Sequence, residues 1–349
     1  MRNVDSLFLL ILGFTFCNVI NSAPIAIDSR IISYQIVNNL SGTLKISDSI
    51  LTRLWVSKFT QIYPKVSVIF TPVITSSDTA LKELAAHTTD LTWLGPDLQK
   101  YQEEYAIKKL GYIPPMLTVA RGSAETHGNK PALAIFVNSS NPISKISLPE
   151  LDAIFSATRN LGYPNQIRTW GDLGLTGEWA KKPIICVGMS INNQYGVPHG
   201  WVYYLMQHML NNGTFRKDII QIPDTAYGSG ANRAFVKVID LINNNTSAIG
   251  FSPLVYKQSG VKNLSICEKP GLPYYNLDEQ TIVDGNYPLS QAKALAWRNK
   301  DTNNLTLEFL HFCLSQEGQA IVLQDTEKSL PLNYTLIANQ CLLLKGYSN

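Results

Sequence analysis

PALAIFVNSSNPISKISLPELDAIF, residues 131–155, reads as a strand, a turn and a helix. The apolar run Ala132–Val137 is short and bounded by Pro131 and the polar Asn138-Ser139-Ser140, which predicts a buried strand. Asn141-Pro142 marks a turn. Ser147, two residues ahead of Pro149, predicts a helix N-cap with the proline in the first turn.

The same design recurs on both sides. Toward the N-terminus, SGTLKI (41–46) predicts a strand, and SDS (47–49) leads into a helix with Leu51, Leu54, Trp55 and Phe59 on one face. VSVIF (66–70) is a second strand, followed by TSSDTALKELAAH (75–87), a turn and helix capped by Ser76 or Ser77. DLTWLG (90–95) is a third. Toward the C-terminus, PIICVG (183–188) leads through SINNQYG (190–196) into a helix whose Val202, Leu205, Met206, Met209 and Leu210 share one face. Then follow a helix in ANRAFVKVIDLINN (231–244), a buried strand in SAIGF (247–251) and one long helix across LTLEFLHFCLSQEGQAIVL (305–323). Strands alternating with helices predict an α/β architecture.

Three turns of this kind, at 47–49, 75–79 and 190–196, predict a binding cleft. Ligands of open α/β sheets collect beyond the carboxyl ends of strands, where helix N-termini present free N–H groups to polar or anionic molecules. The candidate ligand-binding residues are Ser47, Ser49, Ser76, Ser77, Thr79, Ser190, Asn192, Asn193 and Gly196. The competing reading is that these hydroxyls and amides only cap helices.

The totals bound the function. A chain of 349 residues suggests two domains, and 45% hydrophobic content supplies a full core. With a net charge of +3 and no basic run beyond pairs such as Lys108-Lys109 and Lys181-Lys182, a nucleic-acid partner is not expected. MRNVDSLFLLILGFTFCNVINSA, residues 1–23, has the layout of a secretory leader: Arg2, an apolar run from Leu7 to Phe16, and small residues at Ser22 and Ala23. A secreted, extracellular monomer without a membrane span is expected. Removing the leader takes Cys17 and leaves Cys186, Cys267, Cys313 and Cys341, which permit three disulfide pairings, Cys313 with Cys341 among them, or free thiols. Their spacing fits no zinc site. Eight N-x-[ST] sequons, at Asn39, Asn138, Asn212, Asn244, Asn245, Asn263, Asn304 and Asn333, suggest a eukaryotic glycoprotein in that setting.

The order of the pieces resembles the phosphate-binding proteins of bacterial ABC importers. NPISKISLPELDAIFSAT followed by IRTWGDLG and EWAKKPI is similar to a signature stretch of that family, and SSDTALKELAAHTTDLTWLG to its serine-rich loop, helix and strand. SAIGF, NYPLS and EFLHFCLSQEGQAIV are similar to its closing segments. Asn141, Pro142, Ile154, Phe155, Trp170, Gly171, Asp172, Ile249, Gly250, Tyr287, Pro288, Leu289, Gly318 and Gln319 carry the resemblance, which runs from about Gly42 to Pro331. It implies a two-lobed periplasmic-binding-protein fold with two interlobe crossings, lobe one being about 40–130 plus 256–345 and lobe two about 131–255. The ligand would lie in the cleft between lobes, reached by a hinge motion.

The anion-binding pattern departs from the family's. Where the family has an arginine and then Ser-Gly-Thr, this chain has Met189 and then Tyr195-Gly196-Val197. After DLTW, a serine followed by an arginine or aspartate gives way to Leu94-Gly95-Pro96. The resemblance therefore implies a solute-binding protein with a polar cleft for phosphate or another small polar ligand, its anion site altered.

A catalytic reading is weaker. Gly188-Met189-Ser190-Ile191-Asn192 matches a nucleophile elbow except that Asn192 replaces the second glycine. A hydrolase built on Ser190 also needs a histidine and an acid, and His199, His208 and His311 sit at unpromising spacings. Asp172 reads as a cap, and GSGANR (228–233) lacks the third glycine of a dinucleotide loop. No catalytic residue, metal ligand or cofactor is assigned. A non-ligand-binding extracellular recognition scaffold, using some of the 6 tryptophans and 16 tyrosines, is the remaining alternative.

Overall fold

The computed structural model describes residues 24–124, 130–193, 196–223, 231–300 and 302–347. The leader-like segment 1–23 with Cys17, Tyr195, and residues 228–230 of GSGANR lie outside the described residues.

Two five-stranded sheets organise the protein. Their strands and helices, in chain order, are β1 (Gly42–Ser47), α1 (Ile50–Ile62), β2 (Val66–Thr71), α2 (Ser77–Ala85), β3 (Leu91–Leu94), α3 (Lys100–Leu110) and β4 (Met116–Arg121), then β5 (Leu133–Asn138), β6 (Lys145–Ser147), α4 (Leu148–Phe155), β7 (Ile185–Met189), α5 (Gly200–His208), β8 (Ile220–Ile222), α6 (Ala231–Asn243), β9 (Ala248–Pro253) and β10 (Val261–Asn263). The chain continues through β11 (Ser265–Cys267), α7 (Glu279–Val283), β12 (Ala292–Trp297), α8 (Asn304–Leu314), α9 (Gln316–Val322) and α10 (Tyr334–Lys345). The first sheet has the order β2-β1-β3-β12-β4, the second β10-β5-β9-β7-β8. In the first, β1 runs parallel to β2 and β3, whereas the late strand β12 enters antiparallel between β3 and β4. In the second, β7 is parallel to β8 and β9, β5 is antiparallel to β9, and β10 is antiparallel to β5.

Each sheet has its own core. Trp55, Phe59, Trp297, Phe309 and Phe312 are fully buried in the first lobe, and the Phe59 ring meets Phe309 edge-on at 5.2 Å. Phe136, Phe155, Trp170 and Phe251 fill the second, to which residues Val261–Leu289 also contribute through Ile266, Ile282 and Tyr287. A smaller cluster of Ala80, Leu81, Leu84 and Leu94 seats α2 beside β3. The crossings are stitched together: Gly122 N donates to Gln291 O, Leu133 N to Leu289 O, and the buried Tyr287 hydroxyl to Leu133 O at 2.8 Å.

Serine hydroxyls cap the starts of α1, α2, α4 and α9. Ser147 caps α4 by accepting from Glu150 N, and the Glu150 carboxylate accepts from Ser147 N in return. The expected single helix across 305–323 is broken at Ser315, whose extended backbone ends α8 and whose Oγ accepts from Gly318 N to start α9. The expectation of a disulfide is corrected: Cys186, Cys267, Cys313 and Cys341 are all free thiols. Cys186 Sγ donates to Ile154 O at 3.6 Å and Cys267 Sγ to Lys269 O at 3.3 Å, while Cys313 is sealed in the first core. No helix among the described residues is long and apolar enough to cross a membrane.

Candidate functional site

A cavity of about 430 Å³ lies between the lobes. The first lobe lines it with Ser49, Ser76, Ser77, Trp93 and Gly95; the second contributes Asn193, Pro198, His199, Trp201 and Tyr203. Lys130 and Gln291, beside the crossings, complete it.

Two helix starts aim at this space. Ser49 sits at the N-cap of α1 with extended backbone, its Oγ accepting from Thr52 N at 3.1 Å and from Trp93 Nε1 at 3.0 Å. Ser76 caps α2 by accepting from Thr79 N at 3.2 Å. This leaves the N–H groups of Ser77 and Asp78 with no partner inside the helix. Asp78 turns its carboxylate to Tyr101 and Gln102, at 3.2 and 3.1 Å.

Gly95 is the floor on which a cation and a hydroxyl meet. A Cβ built on Gly95 would stand 3.3 Å from Ser77 Oγ and 3.4 Å from Lys130 Nζ. Burial lowers the Lys130 ammonium to about 8; nearby Asp97 favours its charge and Lys293 opposes it. Lys293 itself is held by Ser329 at 2.6 Å and Glu327 at 3.2 Å, so its charge is matched by protein groups.

The lobes touch across the mouth. Gln99 Nε2 donates to Pro198 O at 2.9 Å, Tyr203 Oη to Leu98 O at 3.2 Å, and His208 Nε2 lies 2.9 Å from Asp97 Oδ1. The volume between them thus belongs to a bridged arrangement.

Of the residues singled out from the sequence, Ser49, Ser76, Ser77 and Asn193 line the cavity. Ser47 is fully buried and accepts from Trp93 N at 3.1 Å. Thr79 Oγ1 pairs with Ser76 Oγ at 3.1 Å inside the first turn of α2. Ser190 gives its N–H to Ile222 O at the end of β7, outside the lining. Asn192 bridges to Pro198, and Gly196 occupies a left-handed turn at φ +75°, its N–H on Asn193 O. Met189 is buried in the second core. Among the sequons, Asn138 is buried with Nδ2 donating to Ile242 O and Asn243 O, and Asn333 Nδ2 donates to Val283 O and Asp284 O. No group of three metal-ligating side chains occurs among the described residues.

Lys130 and the Trp201–Tyr203 wall are contributions that pattern reading missed. Lys130 lies in a polar loop without periodicity, and only Gly95 directly after a strand hinted at a close approach there.

Comparison with known proteins agrees with this architecture. The phosphate-binding protein PstS of Pseudomonas aeruginosa, in two strains, is 32% identical over 318 residues, which is 89% of this chain and 90% of the relative. Two solved structures align at 17% identity. One is an ABC-type phosphate transport receptor from Vibrio cholerae, covering 83% of this chain and 100% of that one at a TM-score of 0.51. The other is PstS from Borrelia burgdorferi, covering 83% and 99% at 0.52. Both share the two-lobed fold. No protein-family model matches.

Proposed function

The chain belongs to the family of PstS phosphate-binding proteins, and from that premise we propose that it is an exported binding protein that takes a phosphate-class oxyanion between its lobes without transforming it. The observation that carries this reading is the convergence of Ser77 Oγ and Lys130 Nζ over Gly95. An anion seated there meets a cation, a hydroxyl and the open N–H groups of α2 in one place, the combination that offsets its desolvation.

In this reading the anion site is altered rather than lost. Met189 stands where the resemblance implies an arginine, and Lys130 supplies the charge from another element. An ammonium is a point charge with three donors, not a planar fork, so shape discrimination at the anion is weaker. Ser49, Ser76 and Asn193 add donors from the walls. Ser47 and Thr79 support the two caps, while Ser190, Asn192 and Gly196 shape the loop that carries Asn193. The expected lobe bounds, about 40–130 plus 256–345 and about 131–255, shift in this reading to about 40–130 plus 290–345 and about 131–289, because Val261–Leu289 packs in the second core. Export rests on residues 1–23, and a eukaryotic origin rests on the sequons alone.

Calorimetric titration of the purified protein with orthophosphate and with sulfate tests the proposal. Binding in the micromolar range, weakened at least tenfold in Lys130→Met while that variant still folds cooperatively, is expected. Absence of binding heat with either anion would sink it.

A further inference from the structure

Resting on the oxyanion reading above, we propose that the ligand is an organic phosphoryl anion, a phosphate or phosphonate group carried on an apolar substituent, and that Trp201 seats the substituent. Three observations lead there. The first is size. About 430 Å³ falls within the range of roughly 300–1,000 Å³ typical of pockets for organic ligands, far more than a bare tetrahedral anion fills. The lobes are already joined through Gln99–Pro198, Tyr203–Leu98 and His208–Asp97, so this space is not the gap of an open cleft.

The second is the division of the walls. Ser77 and Lys130 gather around Gly95, with Ser76 also in the lining. Trp201, Tyr203, Ile74 and Leu51 also face the cavity and offer apolar and aromatic surface that a phosphate ion cannot use. The Trp201 ring is fixed edge-on against Phe235 at 5.6 Å, so presenting its free surface to a ligand costs little ordering.

The third is the charge count. Lys293 is already matched by Glu327 and Asp325, at 3.2 and 3.7 Å, which among the described lining lysines leaves Lys130, with Asp97 nearby, as the cation beside Ser77. One ammonium with helix N–H groups suits a phosphoryl group whose fourth substituent is carbon or an ester oxygen and needs no donor of its own. A fully encircled orthophosphate demands donors on every oxygen.

Calorimetry with phenyl phosphate, orthophosphate and phenol, read together with tryptophan fluorescence, separates the possibilities. Phenyl phosphate is expected to bind at least tenfold tighter than orthophosphate and to change tryptophan emission, with phenol far weaker than either. Trp201→Leu is expected to narrow the ratio of the two phosphates to within about threefold. Should that variant unfold, Tyr203→Leu serves as the second probe of the same wall. Orthophosphate binding as tightly as phenyl phosphate overturns this proposal and leaves the oxyanion reading standing. No binding of any phosphate overturns both. Phenol binding as well as phenyl phosphate overturns the role of the phosphoryl end.

Discussion

Gln99 of the first lobe and Pro198 of the second meet across the cavity mouth, the side-chain amide donating to the carbonyl at 2.9 Å. This bond exists only when the lobes are together, so it weights the closed arrangement against the open one. A single such bond contributes about 0.5–1.5 kcal/mol. Gln99→Ala is expected to weaken orthophosphate binding two- to tenfold and to raise the radius of gyration of the ligand-free protein in small-angle scattering. Unchanged affinity and dimensions would show that the contact does not bias closure.

Gly95 sets the approach of Ser77 and Lys130. A methyl group there would stand 3.3–3.4 Å from both, a contact that small shifts relieve, whereas a larger side chain fills the space between them. Gly95→Ala is expected to change affinity less than about threefold, and Gly95→Leu to reduce it at least a hundredfold in calorimetry. Equal affinities for both variants would place the anion elsewhere.

On the proposed reading, Lys130 is expected to make anion binding pH-dependent. Its folded-state pKa of about 8 lies below the ordinary lysine value, so the ligand-free folded state loses this proton before the unfolded chain does. The burden of the buried charge is therefore greatest below pH 8, and it disappears as pH rises from about 8 toward the unfolded value. Sulfate stays a dianion through this range and needs the charged form. Its affinity is expected to fall up to tenfold per pH unit above about 8 in the wild type and to stay flat in Lys130→Met. The melting temperature of that variant relative to wild type should be most favourable near pH 7 and decline toward pH 10.

The four free cysteines predict a graded thiol titration. Cys186, Cys267 and Cys313 are buried, and burial raises Cys186 to about 12. Cys341 is only part-buried on α10, its thiol raised more modestly. Ellman's reagent is expected to label Cys341 slowly in the native protein, with the buried three reacting only after unfolding. A reductant should leave the melting temperature unchanged, and a fall on reduction would reveal a cross-link.

How far the sequence exposed this arrangement depended on the range of the interaction. Ser49, Ser76 and Ser147 announce helix starts because a cap bonds within three residues of itself. The strands around Leu44, Ile135 and Ile249 declare themselves by buried apolar runs. By contrast, α3 reads KYQEEYAIKKL and buries little beyond Gln102 and Ala106, so no apolar stripe marks it. Lys130 was illegible for a different reason: its partners at Ser77 and Gly95 are set by tertiary folding, not by spacing. Trp201 and Tyr203 looked like ordinary helix residues, since periodicity finds the buried side of α5 and is silent about what the other side faces.

The placement of β12 dictates an order of assembly during synthesis. Because Ala292–Trp297 supplies the strand between β3 and β4, those two early strands emerge with facing edges unfilled until nearly the whole polypeptide has been made. The intervening segment can complete its own sheet in that interval, since β5 through β10 need nothing from outside it. The half that begins first is thus finished last. Its exposed edges during that wait are the stretch of the molecule's life most open to misassociation, and truncation anywhere before residue 292 removes the strand that closes it.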